Sequence, residues 1–510
     1  MIRYSSLLTR RTTNAIRVSQ RYYSQSFDDP DLFRTRALIN GKWIKKPDSF
    51  PVRNPSTQEI VAKVSDCQLS DYEDAIVGAK AAFDEFRHTS PQERSDMLEN
   101  LGNLLIENKQ DLARLITLEN GKPFADALGE VLYSASYFRW FSQEAVRMYG
   151  TVIPGPSGNK QMFSIRQPLG VVGIMTPWNF PSAMLARKVA PALATGNTCV
   201  VKPASETPLS ALVIGWLCQQ AGFPPSTCSI LPTSKTPEVG KLLCGHDLVK
   251  KVTFTGSTRV GRLLMAQCAQ DSKIIKKVSM ELGGNAPFII FNDADLDKAL
   301  NGIIGCKFRQ SGQTCVCANR IFVHKDVYDE FATRLVKRMT STFNLGDGFN
   351  EKVTHGPLIS AAAVEKVSQL VEDAKQKGAE VLTGGKKAEA LGPYFYRPTV
   401  LSGVNESMDI FHTEVFGPVA SLVKFEDTEE VIRMANNTDV GLAGYFYTQD
   451  INRAQEIALR METGMVGINT GAISDAALPF GGIKNSGLGR EGSLHGLEDY
   501  TELKSIVLQA

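Results

Sequence analysis

From Leu169 onward the chain alternates short apolar runs with helix-length segments, and no other feature restricts its fold as strongly. GVVGIM (170–175), TCVVKP (198–203), CSILP (228–232) and KVTFTG (251–256) read as strands, with helices expected at 182–193, at 210–221, near 238–243 and then up to Ala269. Strands that run apolar throughout and are separated by helices pair in parallel and are covered on both faces, which predicts a Rossmann-type sheet. The second half repeats the style through NAPFIIF (285–291), ANRIFVH (318–324) and helices from Val327 and Ala361. Two α/β domains are therefore expected to meet near Leu282 to Asn285, at the end of the strand KVSMEL (277–282). Upstream, 37–67 reads as short strands turned at Asn40-Gly41 and Asn54-Pro55, followed by helical patterns over 70–86, from Ser90-Pro91, and over 122–149. The stretch 150–168, with Pro154, Gly155, Pro156 and Gly158, reads as an extended arm of the kind that serves assembly.

Several classes drop out on composition. With 510 residues, 43% hydrophobic and 22% charged, the chain has room for about three domains of ~150 residues, and it has no apolar run near the ~20 residues that span a bilayer. Nine scattered cysteines suit a reducing compartment rather than a disulfide scaffold, and the C-x-C at Cys315 and Cys317 lacks the second ligand pair of a structural zinc site, so no metal is expected. The first 23 residues hold Arg3, Arg10, Arg11, Arg17 and Arg21, many hydroxyl groups and no acid. That is the composition of a mitochondrial transit peptide, with cleavage expected after Tyr23 and the matrix as destination; a disordered basic tail is the alternative. Its removal turns a formal charge of +2 into −3, which gives no bias toward nucleic acid.

Chemistry concentrates in KFRQSGQTCVCANR (307–320). Cys315 is the candidate nucleophile, flanked by Lys307, Arg309 and Arg320, whose charge would favour a thiolate, although isolated cysteines are most often small buried hydrophobes. Strand ends supply the rest. Gly256 and Ser257 in FTGST open a helix where N–H groups could cradle an anion, Lys202 closes its own strand, and Asn179 and Glu281 end two more. Singly, each has a plainer reading: a strand-to-helix turn, a helix cap, a solvated carboxylate. Gly283 and Gly284 allow a close backbone approach. Six histidines without metal spacing or pairing to Cys315 weaken a Cys-His hydrolase.

The motifs PWNFP, FTGST, MELGGNAP, GQTCVCANR, EVFGP and PFGGIKNSGLGREG occur together in this order, and from about residue 35 to the end the chain resembles an NAD(P)-dependent aldehyde dehydrogenase. Within that family the pattern is closest to the succinate-semialdehyde dehydrogenases, through KFRQSGQTCVCANR, MLARK and GLGREGS. The resemblance implies an NAD(P)-binding domain from 24–150 and 169–283, a catalytic domain from 284–484, and a small β oligomerisation arm from 151–168 and 485–510. It implies that Cys315 attacks the aldehyde, that Asn179 and the Cys315 N–H hold the oxyanion, and that Glu281 activates the water that releases the acid. For the cofactor it implies Lys202 at the adenosine ribose, Gly256 and Ser257 at the pyrophosphate, and Glu414 with Phe416 at the nicotinamide ribose, with Trp178 and Leu282 lining the crevice. Many NAD-preferring relatives carry glutamate where this chain has Ser205, so NADP is expected, with some NAD use and with Glu206 as a complication. Arg187 and Arg309 are implied at the distal carboxylate of succinate semialdehyde, with Ser474 as a third contact. Glutarate semialdehyde is the alternative substrate, and a cysteine hydrolase or an inactive structural relative are the readings from other classes. Cys317 raises the idea of a redox switch through a disulfide to Cys315. A homodimer or homotetramer is implied, with no membrane or nucleic-acid partner.

Overall fold

A computed structural model describes residues 27–156 and 159–509. The basic leader expected at 1–23 lies outside them. β1 (Ala37–Ile39) and β2 (Lys42–Ile44) form a hairpin whose turn, Asn40-Gly41, takes φ of 51° and 76°, the left-handed pair that two-residue hairpins require. β3 (Ser49–Arg53) and β4 (Ile60–Ser65) make a separate ribbon. Four helices follow, Leu69–Phe86, Pro91–Glu107, Lys109–Asn120 and Phe124–Ala145. The second starts as the sequence predicts: Pro91 is its first residue, and Ser90 and Glu93 cap each other's backbone N–H groups at 3.2 and 2.6 Å. The helical pattern expected from 122 starts at Phe124 instead, because Gly121 at φ 81° ends the preceding helix and Pro123 sets the next.

The arm begins with β5 (Thr151–Ile153) and β6 (Lys160–Pro168). Next come β7 (Val171–Met175), β8 (Thr198–Lys202), β9 (Cys228–Ile230), β10 (Val249–Thr255) and β11 (Lys277–Glu281), with helices Pro181–Ala194, Pro208–Gln220, Thr236–Gly245 and Thr258–Gln270 between them. These strands stand in the order β9-β8-β7-β10-β11, all parallel, and β1 and β2 extend the β9 edge. The chain winds outward from β7 first to one side and then to the other. The crevice at the carboxyl ends of β7 and β10 is thus a topological switch point, where open α/β sheets bind their ligands.

β12 (Ala286–Ile290), β13 (Ala318–His324), β14 (Glu380–Thr383), β15 (Thr399–Ser402), β16 (Val419–Phe425), β18 (Ala443–Tyr447) and β19 (Met465–Ile468) build the second sheet, in the order β14-β15-β16-β13-β12-β18-β19. β12 and β18 are buried at every residue, which accounts for their unbroken apolar runs. β17 (Val440–Gly441) pairs with β20 (Ile483–Lys484). β21 (Gly487–Leu488) then crosses back and adds an antiparallel edge to the first sheet, with Gly487 opposite Glu281. The segment expected to enter the arm at 485 therefore serves the cofactor sheet first, and β22 (Thr501–Gln509) alone joins β6 and β5. β22 runs antiparallel to β6 over nine residue pairs, from Thr501 opposite Pro168 to Gln509 opposite Lys160.

Candidate active site

The two sheets meet around a cavity of about 290 Å³. Trp178, Asn179, Arg187, Gly256, Ser257, Glu281, Leu282, Arg309, Cys315, Glu414, Phe416 and Ser474 all line it. Lys202, Ser205 and Cys317 do not.

Cys315 follows an irregular descent. Ile304–Phe308 forms a π-helical turn, and Gln310 and Ser311 take left-handed φ of 54° and 52° before Gly312 at 74°. Such backbone is costly for residues other than glycine and persists where the surroundings hold it. Here Gln310 donates from its backbone to Asp126 at 3.1 Å and from its side chain to Asn120 at 2.8 Å, and Ser311 donates to the Gly356 carbonyl at 2.8 Å. The two glycines of MELGGN are required by crowding: a Cβ on Gly284 would lie 2.5 Å from the Cys315 carbonyl, and one on Gly283 would lie 2.9 Å from Glu414.

Flanking positive charge does not activate the thiol. Arg320 is fully buried and donates to the carbonyls of Asn285, Met434 and Ala435, and Arg309 stands over the Phe180 ring at 5.2 Å. Burial pushes the Cys315 thiol up to about 12, Arg187 opposes it, and Glu414 and Glu281 reinforce it. Cys315 rests as a thiol, and the nucleophilic role expected of it would need a base to take its proton.

Asn179 is held by a polar scaffold drawn from the helices before the arm. Lys122 donates to its carbonyl at 2.8 Å and to Glu130 at 2.5 Å, while the other Glu130 oxygen accepts from the backbone of Ser182 and Ala183 and so caps the helix Pro181–Ala194. The Asn179 amide spends one N–H on the Gln313 carbonyl at 3.0 Å. Its second N–H is the one that the oxyanion role expected of Asn179 would use. Asn179→Ala is expected to lower kcat by about 10²–10³-fold, the usual loss of about 2.7–4 kcal/mol for one oxyanion donor, with KM changed much less; steady-state kinetics check this.

Glu281 ends β11, and neither carboxyl oxygen has a hydrogen-bond partner among the described residues. Burial, reinforced by Glu491, pushes its pKa well above the usual carboxylate range, with Arg187 and Lys188 opposing. Glu491 was not singled out by the sequence reading, yet it organises this corner. It pairs with both Arg187 and Lys188, and although burial works against its ionisation, those two cations hold it below the usual range. Lys188 also donates to Thr253 at 3.0 Å. Arg187 and Lys188 thus share Glu491 beside Glu281, and burial lowers the Lys188 ammonium while Glu491 opposes that. Arg187 also lines the cavity: its Nε side meets Glu491, its guanidinium lies over the Phe480 ring at 4.0 Å, and Nη1 and Nη2 have no hydrogen-bond partner among the described residues. Tyr133, Met184, Thr314 and Phe480 also line the cavity and were not anticipated.

The donor set suits a dinucleotide. Ser257 caps the helix Thr258–Gln270 at the carboxyl end of β10, leaving that helix N-terminus toward the crevice. A Cβ at Gly261 would lie 2.3 Å from Leu282, so this glycine lets Leu282 close on the helix. Trp178 and Phe416 pack edge to face at 5.6 Å, and Phe416 takes a left-handed φ of 55°. Glu414 accepts from the Gly284 N–H at 3.2 Å, and burial raises its carboxyl to about 7. Lys202 stands at the end of β8, buried, its ammonium lowered to about 8 by that burial. Ser205 donates to Glu206 at 3.1 Å and lines a separate cleft with Glu206 and Arg53. Cys317 is buried, and its thiol points to the carbonyls of Gly312 at 3.4 Å and Lys307 at 3.8 Å; both it and Cys315 are free thiols.

What this fold and cleft define is a class: an oxidoreductase that keeps its substrate on a thiol while a dinucleotide is reduced beside it. The chain belongs to the aldehyde dehydrogenase family, which it matches over residues 43–506. It is 49% identical over 490 residues to the succinate-semialdehyde dehydrogenase (NADP(+)) of Saccharomyces cerevisiae, covering 96% of this chain and 98% of that one. It is 50% identical over 482 residues to the glutarate-semialdehyde dehydrogenase of Pseudomonas putida, covering 94% and 99%. Among solved structures, the succinate-semialdehyde dehydrogenase from Burkholderia pseudomallei superposes with a TM-score of 0.93 at 46% identity, over 95% of this chain and all of that one (100%).

Proposed function

We propose that the enzyme oxidises succinate semialdehyde to succinate, with NADP as the preferred cofactor and NAD as a second. The observation that carries this reading is Arg187, which lines the cavity with Arg309 and Ser474 and whose two Nη groups have no hydrogen-bond partner among the described residues. A carboxylate two methylenes away from a reacting aldehyde would meet the Arg187 guanidinium there, through forked, charge-assisted hydrogen bonds. Cys315 attacks the aldehyde carbon, and the amide of Asn179 with the Cys315 N–H holds the oxyanion. When bound, the dinucleotide supplies the hydride acceptor. The acyl group is then left on Cys315 as a thioester, and Glu281, once ionised, takes a proton from the water that releases the acid. Trp178, Leu282, Glu414 and Phe416 would bind the nicotinamide half, Gly256 and Ser257 the pyrophosphate, and Lys202 with Ser205 the adenosine ribose and its phosphate.

The test is steady-state kinetics on a series of aldehydes with and without a distal carboxylate, with NAD and NADP in parallel. Arg309→Ala is expected to lose about 10- to 100-fold in kcat/KM on carboxylated aldehydes, the value of one charge-assisted contact at ~1.5–3 kcal/mol, and to change little on uncharged ones. Equal losses on both would remove the two-arginine reading. Glutarate semialdehyde stays as a second reading because a relative of that name is 50% identical, and one methylene is worth only about 1–3 kcal/mol of discrimination. The same series separates the two.

The reading extends to the whole chain: the cofactor domain at 24–150 and 169–283, the catalytic domain at 284–484, the leader directing it to the mitochondrial matrix, and the arm joining copies into a homo-oligomer. In support of the last, β5 is exposed at all its residues, and Val152, Leu503 and Val507 offer apolar side chains to solvent at 86%, 62% and 61% exposure. For Cys317, a disulfide to Cys315 requires its sulfur to swing away from the Gly312 and Lys307 carbonyls. Peroxide inactivation that a thiol reductant reverses, and that does not reverse in Cys317→Ala, is the outcome expected of a switch.

A further inference from the structure

The helices Thr236–Gly245 and Thr258–Gln270 lie side by side within one apolar cluster. Two contacts fix their register. A Cβ on Gly240 would lie 3.3 Å from Leu264, and one on Gly245 would lie 3.4 Å from Asp271. Between these contacts, one turn on from Gly240 and from Leu264, come Cys244 and Cys268. This register sets the two thiols side by side, and each acts on the other. Cys244 is wholly buried, and Cys268 retains 6% exposure. Lys276 stands beside Cys268, its ammonium anchored by the carbonyls of His246 and Val249, both at 2.6 Å.

We propose that Cys244 and Cys268 are a modification site, oxidised by hydrogen peroxide to a disulfide that staples the two helices. Three features favour it: glycines that bring the helix axes close, a register that places the two cysteines across from each other in one apolar cluster, and a fixed cation beside the more exposed one. The neighbouring Cys244 lowers the Cys268 thiol, burial opposes this, and Lys276 adds to the lowering. The Cys268 thiolate attacks one peroxide oxygen, the O–O bond breaks, and hydroxide leaves, taking up the proton that Cys268 released. Cys244 then attacks the sulfur of the resulting sulfenic acid. Its proton goes to the departing hydroxide, and the S–S bond forms with loss of water. Two thiols are oxidised and one peroxide is reduced to two waters. Cys218 and Cys228 are also neighbours, but what acts on Cys218 is Cys228, burial and Cys199, with no cation, so that pair is expected to stay reduced. The staple would restrain the helix that follows Ser257 at the cleft.

The test uses full-length Cys315→Ser protein, in which neither the catalytic thiol nor a bond between Cys315 and Cys317 can contribute. After native treatment with hydrogen peroxide and alkylation, the peptides containing Cys244 and Cys268 are expected to be joined. The intact mass should fall by about 2 Da, the two hydrogens lost, and dithiothreitol should restore it. Adding Cys244→Ala should leave Cys268 as a sulfenic acid trapped by dimedone. Adding Cys268→Ser should leave Cys244 fully alkylatable. Both thiols remaining alkylatable at a peroxide dose that fully oxidises glutathione would overturn the proposal, as would a Cys244 disulfide to any other cysteine.

Discussion

Cys315→Ala protein is expected to lose turnover by about 10⁴-fold or more on every aldehyde, whatever the cofactor, because no other group can hold the substrate while it is oxidised. The loss should fall on kcat. Cofactor binding, followed by quenching of the Trp178 fluorescence, should survive, since Cys315 contributes one side chain to a cavity that Trp178, Gly256, Ser257, Leu282, Glu414 and Phe416, the residues proposed for the cofactor, also line. Thermal stability should change by no more than about 1 kcal/mol, as expected for trimming a single sulfur at a partly exposed position. Retained turnover would place the chemistry elsewhere, and retained ester cleavage without cofactor would favour a hydrolase.

Glu281→Gln should separate the two halves of the reaction. With the base gone, hydrolysis of the thioester is expected to slow by about 10²–10⁴-fold, so that one equivalent of reduced cofactor appears in a burst and turnover then stalls. The pH dependence has a definite sign. Burial and Glu491 favour the protonated form, so wild-type deacylation should rise as pH rises through the elevated Glu281 value, and the glutamine variant should lose that rise. The same displacement bears on stability. A carboxyl whose pKa is raised by folding contributes fully below its unfolded value of about 4.3 and loses that contribution as pH climbs through the folded value. Glu281→Gln is therefore expected to melt higher than wild type at alkaline pH while being nearly inactive, which scanning calorimetry across pH would check.

The sheets were legible in the sequence because fully buried parallel strands must be apolar throughout, and GVVGIM, TCVVKP and NAPFIIF leave little else to be. Cys315, Glu281 and Asn179 were legible through their motifs, and the structure gathers all three on one cavity. What escaped depends on distance along the chain or on backbone that no residue type announces. Lys188 and Glu491 are 303 residues apart, and nothing local marks either as the other's partner. Phe416 takes a left-handed φ without being a glycine. The expectation that Lys307, Arg309 and Arg320 would activate the thiol counted charges without directions, whereas the Arg320 guanidinium is turned onto three backbone carbonyls. Ser205 illustrates the reverse case: its position in the chain is informative, but its hydroxyl turns to Glu206 in a cleft of its own.

The return of the chain through β20 and β21 bears on when the enzyme becomes active during its own synthesis. Glu491 follows Cys315 by 176 residues, and Gly487, which stands beside Glu281, comes just before it. Until then Arg187 and Lys188 are two like charges without a counterion, and a ribosome-bound chain cannot bury them together. Cys315 is thus translated long before the pocket that makes it useful can close. A chain cut between Cys315 and β21 is therefore expected to carry the proposed nucleophile without turnover, which an activity assay on that truncation would check.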